Sequence, residues 1–247
     1  MKLFLLIIAM YSATIAVVFG GSVLEFYVFD KESQEPVGSA EVHLYQDDSL
    51  LTTVQTRSDG HVRISDSTIL HQGEMYRVVA GKMPDYLRTE SHFMLSPRPG
   101  RTIIELFVQS SKAVIELPEV RFNYDKWTFQ INDSVNSLDS LRYLYDILVL
   151  NPEIVIKVRN HSDCRGSDMY SSRPTQRRAQ ACVEALIEMG IDQERLIPVG
   201  MGEEEPRPGL HCEAIARMPT KLEQEIAHQR NRRTDAKVIS TDFKKTD

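Results

Sequence analysis

The sequence predicts two domains, an all-β sandwich followed by an α/β sandwich. Residues 23–110 hold runs with period-2 alternation, cut at short intervals by turn formers. From about residue 111 the rhythm changes to apolar residues at helical spacing, placed between short apolar runs. The chain has 247 residues, long for one small domain and comfortable for two.

Hydrophobic residues make up 42% and charged residues 26%, the balance of a folded chain rather than a disordered one. The formal net charge is -6. That argues against a nucleic-acid partner, which needs clustered Lys and Arg to displace counterions. Met1 and Lys2 are followed by an uncharged run from Leu3 to Gly20, ending in small residues. A basic start, an apolar middle and a small-residue edge are the order of a secretory signal, expected over residues 1–21. The alternative is an uncleaved membrane anchor, since the run is about the minimum for a spanning helix. The rest of the chain shows too few alternating strands for a membrane barrel. The N-terminal segment therefore predicts export, with inner-membrane anchoring by an uncleaved helix as the alternative.

Residues 22–112 read as the β-sandwich. Strands are expected at Leu24 to Phe29, Ala40 to Leu44, Leu51 to Thr56, His61 to Ile64, Tyr76 to Ala80 and Thr102 to Val108. Glu35-Pro36, Ser58-Asp59-Gly60, Met83-Pro84-Asp85 and Pro97 to Gly100 separate them as turns. The order Val28-Phe29-Asp30, Glu35-Pro36-Val37, Ala40 to Leu44 and Thr56 to Gly60 resembles the carboxypeptidase regulatory-like fold. That resemblance implies a seven-stranded sandwich without peptidase residues.

Residues 113–247 read as the α/β unit. Val114 to Phe122 opens it as a strand-like run. Leu138, Leu141, Leu144, Tyr145 and Leu148 form a helical stripe, with Asp133 or Ser134 as cap and Asn151-Pro152 as stop. Ile154 to Val158 is a central strand. A second helix is expected to start near Thr175, burying Ala179, Cys182, Val183, Leu186 and Ile187 and ending at Gly190. Arg195 to Val199 and Thr234 to Ser240 are further strands, and Thr220 to Glu223 has the spacing of a capping box.

The chemistry concentrates in Asn160-His161-Ser162-Asp163-Cys164-Arg165-Gly166 and in Thr175 to Gln180. Asp163 lies just past the end of a central strand. If Thr175 caps the second helix, Arg178 falls in its first turn, where free N–H groups and a guanidinium would hold one carboxylate together. Asp163 would hold an ammonium, so the pair describes a pocket for a zwitterionic amino-acid headgroup.

These residues resemble the OmpA-like family pattern Gly-His-Thr-Asp-x-x-Gly-Ser-x-x-Tyr-Asn-x-x-Leu-Ser-x-x-Arg-Ala. Val199-Gly200-Met201-Gly202-Glu203 is similar to the family's Gly-x-Gly-Glu turn, and Asn231 to Asp235 to its closing Asn-Arg-Arg-Val-Glu. The resemblance implies an α/β sandwich of the OmpA-like type that lies in the periplasm in association with the outer membrane and binds peptidoglycan non-covalently, through the meso-diaminopimelate of its stem peptide. It implies that Asp163 takes the ammonium and Arg178 the carboxylate, with Ser162, Ser171, Thr175 and Arg233 around them. Asn160, Ser162, Ser171, Pro174 and Thr175 depart from the family residues, and Ser171 most affects ligand contact. A domain with drifted specificity, serving as an envelope scaffold, is the alternative.

Of the three cysteines, a Cys164–Cys212 disulfide is expected, as the family carries a cysteine pair in similar places, and Cys182 is a core thiol. His161, Cys164, His211 and Cys212 lack zinc spacing, so no metal and no cofactor are expected. Ser162 between His161 and Asp163 cannot form a nucleophile triad, because neighbours along a strand end point apart. The expectation is a binding protein and not an enzyme. Residues 22–112 would contact another envelope protein or act as a spacer.

Overall fold

The computed structural model describes residues 22–123, 126–132, 135–165 and 168–245, without the side chains of 135 and 168–172. The expected signal segment, residues 1–21, lies outside the described residues, as do Asp133 and Ser134. Among the described residues no helix is long and apolar enough to cross a membrane.

The N-terminal region is rich in strands: β1 (Val23–Asp30), β2 (Glu41–Gln46), β3 (Ser49–Gln55), β4 (His61–Ile64), β5 (Met75–Lys82), β6 (Tyr86–Met94) and β7 (Arg101–Val108). They form two sheets, ordered β4-β1-β7 and β3-β2-β5-β6. Period-2 alternation sends Leu24, Phe26 and Val28 of β1, Val42 and Leu44 of β2, and Tyr76, Val78 and Ala80 of β5 into one shared cluster. At Gly60 the backbone has φ +73°, and a Cβ there would lie 2.6 Å from the Val28 carbonyl oxygen. This is the tight turn read from Ser58-Asp59-Gly60.

The C-terminal region begins with β8 (Val114–Glu116), shorter than the expected run because Pro118 interrupts it. A small hairpin follows, β9 (Ile131–Asn132) with β10 (Val135–Asn136). Helix α1 (Ser137–Leu150) is capped by Asn136, whose side chain accepts the Leu138 N–H. Its stripe, Leu141, Leu144 and Leu148, is fully buried. Burying each such side chain contributes about 1.5–3 kcal/mol. Strand β11 (Val155–His161) leads into α2 (Asp168–Glu188), which returns the chain to β12 (Leu196–Gly202), parallel to β11. A short α3 (Cys212–Ala216) precedes α4 (Lys221–Asn231), and β13 (Thr234–Ser240) closes the sheet in the order β12-β11-β13-β8. The Thr220–Glu223 capping box is formed as read.

The second helix departs from expectation. It starts at Asp168, so Thr175 is not its cap, Pro174 lies inside it, and Arg178 is well past its first turn. Thr175 instead faces inward, fully buried, and its hydroxyl accepts the Gly202 N–H at 3.2 Å. Close packing at that point requires Gly200, where a Cβ would sit 2.3 Å from the Gln176 backbone nitrogen.

The two regions touch through β6 and α1. Leu87 of β6 is buried in the C-terminal core. The Arg88 N–H donates to Asn151 Oδ1 at 2.7 Å, and Asn151 Nδ2 donates to the Arg88 carbonyl at 3.3 Å. Buried Arg195 completes the junction by donating to the Leu148, Asn151 and Ile154 carbonyls. A cation there matches the negative end of α1.

Candidate functional site

The end of β11 fixes the site. The His161 N–H donates to the Arg233 carbonyl at 2.8 Å and the Ser162 N–H to the Gly202 carbonyl at 2.7 Å. Beyond these bonds, Ser162 and Asp163 open onto a cavity of about 880 Å³. Asn160, His161, Thr175, Arg178, Arg232 and Arg233 share its walls. Among the described residues five arginines and two carboxylates line it, with no lysine. An acidic chain thus presents a guanidinium-rich pocket, suited to bidentate contact with a carboxylate or similar anion.

Asp163 is nearly buried, its side chain 9% exposed. It accepts from the Arg165 backbone N–H at 3.0 Å and from Arg165 Nε and Nη2 at 3.1 and 2.7 Å. Arg232 Nη1 donates to the same Oδ2. Burial pushes the carboxyl pKa up, but the Arg165 hydrogen bonds and those of Arg232 outweigh it and hold it below the usual carboxylate range. Arg165 and Arg232 also donate to Glu225, at 2.7 and 3.1 Å. Asp163 is therefore not a bare acceptor but one corner of a four-membered ring of charges.

Arg178 forms another part of the wall. Its Nε donates to the Lys126 carbonyl at 3.3 Å, and its guanidinium lies 5.3 Å from the Phe122 ring centre. The expected support from a helix N-terminus is absent, since α2 begins ten residues earlier, at Asp168. The Ser162 hydroxyl, Asn160 Oδ1 and Arg233 Nη1 are buried without a hydrogen-bond partner among the described residues. Such groups are costly unless something meets them. The Ser171 side chain lies outside the described residues.

The two closing arginines divide their work. Arg232 pairs with Asp163, whereas Arg233 donates to Asp235 Oδ2 at 3.2 Å and to the Glu205 carbonyl at 3.1 Å. Burial lowers the Arg233 pKa. Arg233 thus braces the sheet beside the pocket, and Arg232 is the guanidinium on the anchor carboxylate. Asp235, nearly inaccessible, also takes Arg159 Nε at 2.6 Å. His161 Nε2 lies 3.0 Å from Asp235 Oδ2 but is poorly aligned for a hydrogen bond.

The expected Cys164–Cys212 disulfide is not formed, and all three cysteines are free. Cys164 sits beside Cys212 as a hydrogen-bonded thiol. Burial first, then the bond and charge of Cys212, push its pKa up to about 12. A thiol held protonated is a poor nucleophile for disulfide exchange. Cys182 is buried in the core, as read.

An α/β unit with a polar, arginine-lined pocket at the end of a central strand defines a ligand-binding domain. Residues 122–209 match the model of the OmpA family, and this part of the chain is an OmpA-like domain. Outer membrane protein A of Shigella flexneri is 30% identical over 166 residues, 66% of this chain and 40% of that protein. Outer membrane porin F of Pseudomonas fluorescens is 28% identical over 111 residues, 45% of this chain and 33% of that protein. The peptidoglycan-associated lipoprotein from Burkholderia pseudomallei is similar at a TM-score of 0.35 and 23% identity, covering 49% of this chain and 86% of that structure. The chain spans 24–40% of the length of the first curated relatives it matches.

Proposed function

We propose that the OmpA-like domain binds peptidoglycan, holding the free end of a meso-diaminopimelate stem residue in the arginine-lined cavity. One observation carries the reading: Asp163 and Arg178, the two residues expected to grip a zwitterion, line the same cavity. The unmet Ser162 hydroxyl and Asn160 Oδ1 supply an acceptor and donor set for the ligand's polar atoms. In this reading the ligand ammonium displaces one arginine from Asp163, and that arginine keeps Glu225 as its partner. The ligand carboxylate joins the guanidinium side of the pocket. The protein binds and does not catalyse, and it works exported, in the cell envelope. The strand-rich region is a carboxypeptidase regulatory-like sandwich, forming a separate domain that contacts another envelope protein or spaces the anchor from its load.

A second reading is favoured by the double arginine hold on Asp163. A pocket closed by its own arginines serves a scaffold whose wall binding has been lost. Co-sedimentation of the protein with diaminopimelate-type peptidoglycan, beside Asp163→Ala and Arg178→Ala, separates the two. Wild type in the pellet with both folded variants in the supernatant supports the anchor. All three in the supernatant supports the scaffold. A pocket that loses one partner of a desolvated charge pair loses about 2–5 kcal/mol, enough to abolish pelleting.

A further inference from the structure

We propose that Trp127 is a sugar-stacking platform that carries the pocket onto the glycan of the same polymer. The proposal rests on the peptidoglycan reading above and deepens it. Trp127 sits in a turn between Phe122 and Phe129, which bridge each other across it with ring centres 5.3 Å apart. Its described residues bond to one another. The Asn123 N–H donates to the Thr128 carbonyl at 2.9 Å and the Lys126 N–H to the Asn123 carbonyl at 3.0 Å. Asn123 Nδ2 donates to Thr128 Oγ1 at 2.9 Å.

Two consecutive residues of α2 hold this turn from outside. Arg178 donates to the Lys126 carbonyl, and Arg177 lies over the indole with its guanidinium carbon 4.5 Å from the ring centre. Arg178, Phe122 and Asn123 are also walls of the pocket. Arg177, the residue over the indole, is thus one helix position from Arg178, the arginine expected to take the ligand carboxylate.

Trp127 is nevertheless 47% exposed. Arg177 lies over one face, and the residue keeps this exposure with that contact made. A large aromatic left about half in water is of the kind that anchors binding surfaces. The free face of an indole suits the C–H face of a pyranose. Arg177 and Lys126 beside it supply donors for hydroxyl and acetamido oxygens. A stem peptide whose free end lies in the pocket has its sugar end outside the mouth, so the occupant is the N-acetylhexosamine disaccharide that bears the stem.

Trp127 is the single tryptophan of the chain, so indole emission reports on this ring alone. The test titrates the full chain with a free diaminopimelate stem peptide and with the same peptide on its disaccharide. The expected result is about three- to tenfold tighter binding of the disaccharide form, with an emission shift that the free peptide does not produce. Trp127→Ala removes the difference and retains free-peptide affinity, which also shows that it folds; Trp127→Phe keeps part of it. Equal affinities with unchanged emission overturn the platform and leave the stem-peptide pocket standing. Binding of neither ligand overturns both.

Discussion

Glu225 holds the same two arginines that grip Asp163, so the two carboxylates face each other across Arg165 and Arg232. Glu225 belongs to α4 and Asp163 to the loop after β11, so the ring ties the binding loop to a helix. In the proposed binding mode a ligand ammonium takes Asp163, and Glu225 is then the counterion that keeps the displaced arginine from competing. Glu225→Gln should therefore weaken stem-peptide binding about two- to fivefold, the modest scale of an exposed network member. Isothermal titration against wild type measures it. An unchanged dissociation constant would show that the arginines do not need Glu225.

The acid limb of stability should belong to Asp163 and Asp235. For both, burial raises the pKa but is outweighed: at Asp163 by Arg165 and Arg232, at Asp235 by His161 and Arg159. A carboxyl with a lowered folded-state pKa stabilises above its unfolded value, about 3.9, and that contribution is lost as pH falls through the folded value. The melting temperature should therefore change little from neutral pH down to about 4 on account of these groups, then fall below it. Asp235→Asn should lower the melting temperature at pH 7 and flatten the acid limb. Thermal scans from pH 2.5 to 7.5 test this, and a limb of undiminished steepness in the variant would count against the assignment.

The cysteines should react in a fixed order. Cys212 is exposed, Cys164 is half-buried with its pKa pushed up to about 12, and Cys182 is buried with its own pushed up to about 12 by burial. Alkylation depends on the thiolate. Mass spectrometry of the native, reduced protein under brief labelling should find Cys212 modified first, Cys164 later and Cys182 only on unfolding. Early loss of Cys182 would mean that α2 opens locally.

Much of the fold was legible where burial imposes a period. The strands Leu24 to Phe29 and His61 to Ile64 were readable because one face must alternate, and the α1 stripe because Leu141, Leu144 and Leu148 recur at helical spacing. Strand β6 was not read, because Arg88 to His92 is polar and lies on a sheet edge, where no second strand demands apolar neighbours. The start of α2 was misplaced because Pro174 and Thr175 look like a helix opening. The helix tolerates Pro174 as its seventh residue, giving up one backbone bond. That Asp163 and Arg178 come together in one cavity was legible from their motif. The arginine partners of Asp163 were not, since Arg165 and Arg232 meet Glu225 only after α4 packs beside the loop.

Asn151 is fully buried, and its amide answers both backbone groups of Arg88, while its own carbonyl accepts from Arg195. Arg88 is a β6 residue and Asn151 caps α1, so one side chain couples the strand-rich region to the OmpA-like core. Asn151→Ala keeps the backbone carbonyl for Arg195 but leaves the Arg88 N–H and C=O stranded without their side-chain partners at a part-buried site. Each stranded group costs about 1–3 kcal/mol. The expected loss is about 2–4 kcal/mol, or roughly 4–16 °C in melting temperature for a chain of this size. Calorimetry should also show the melting endotherm of the variant broadening or dividing, because the core keeps its buried leucines while β6 loses its tie. A loss below about 1 °C would mean that Leu87 and the Arg88–Glu153 ion pair hold the junction without Asn151.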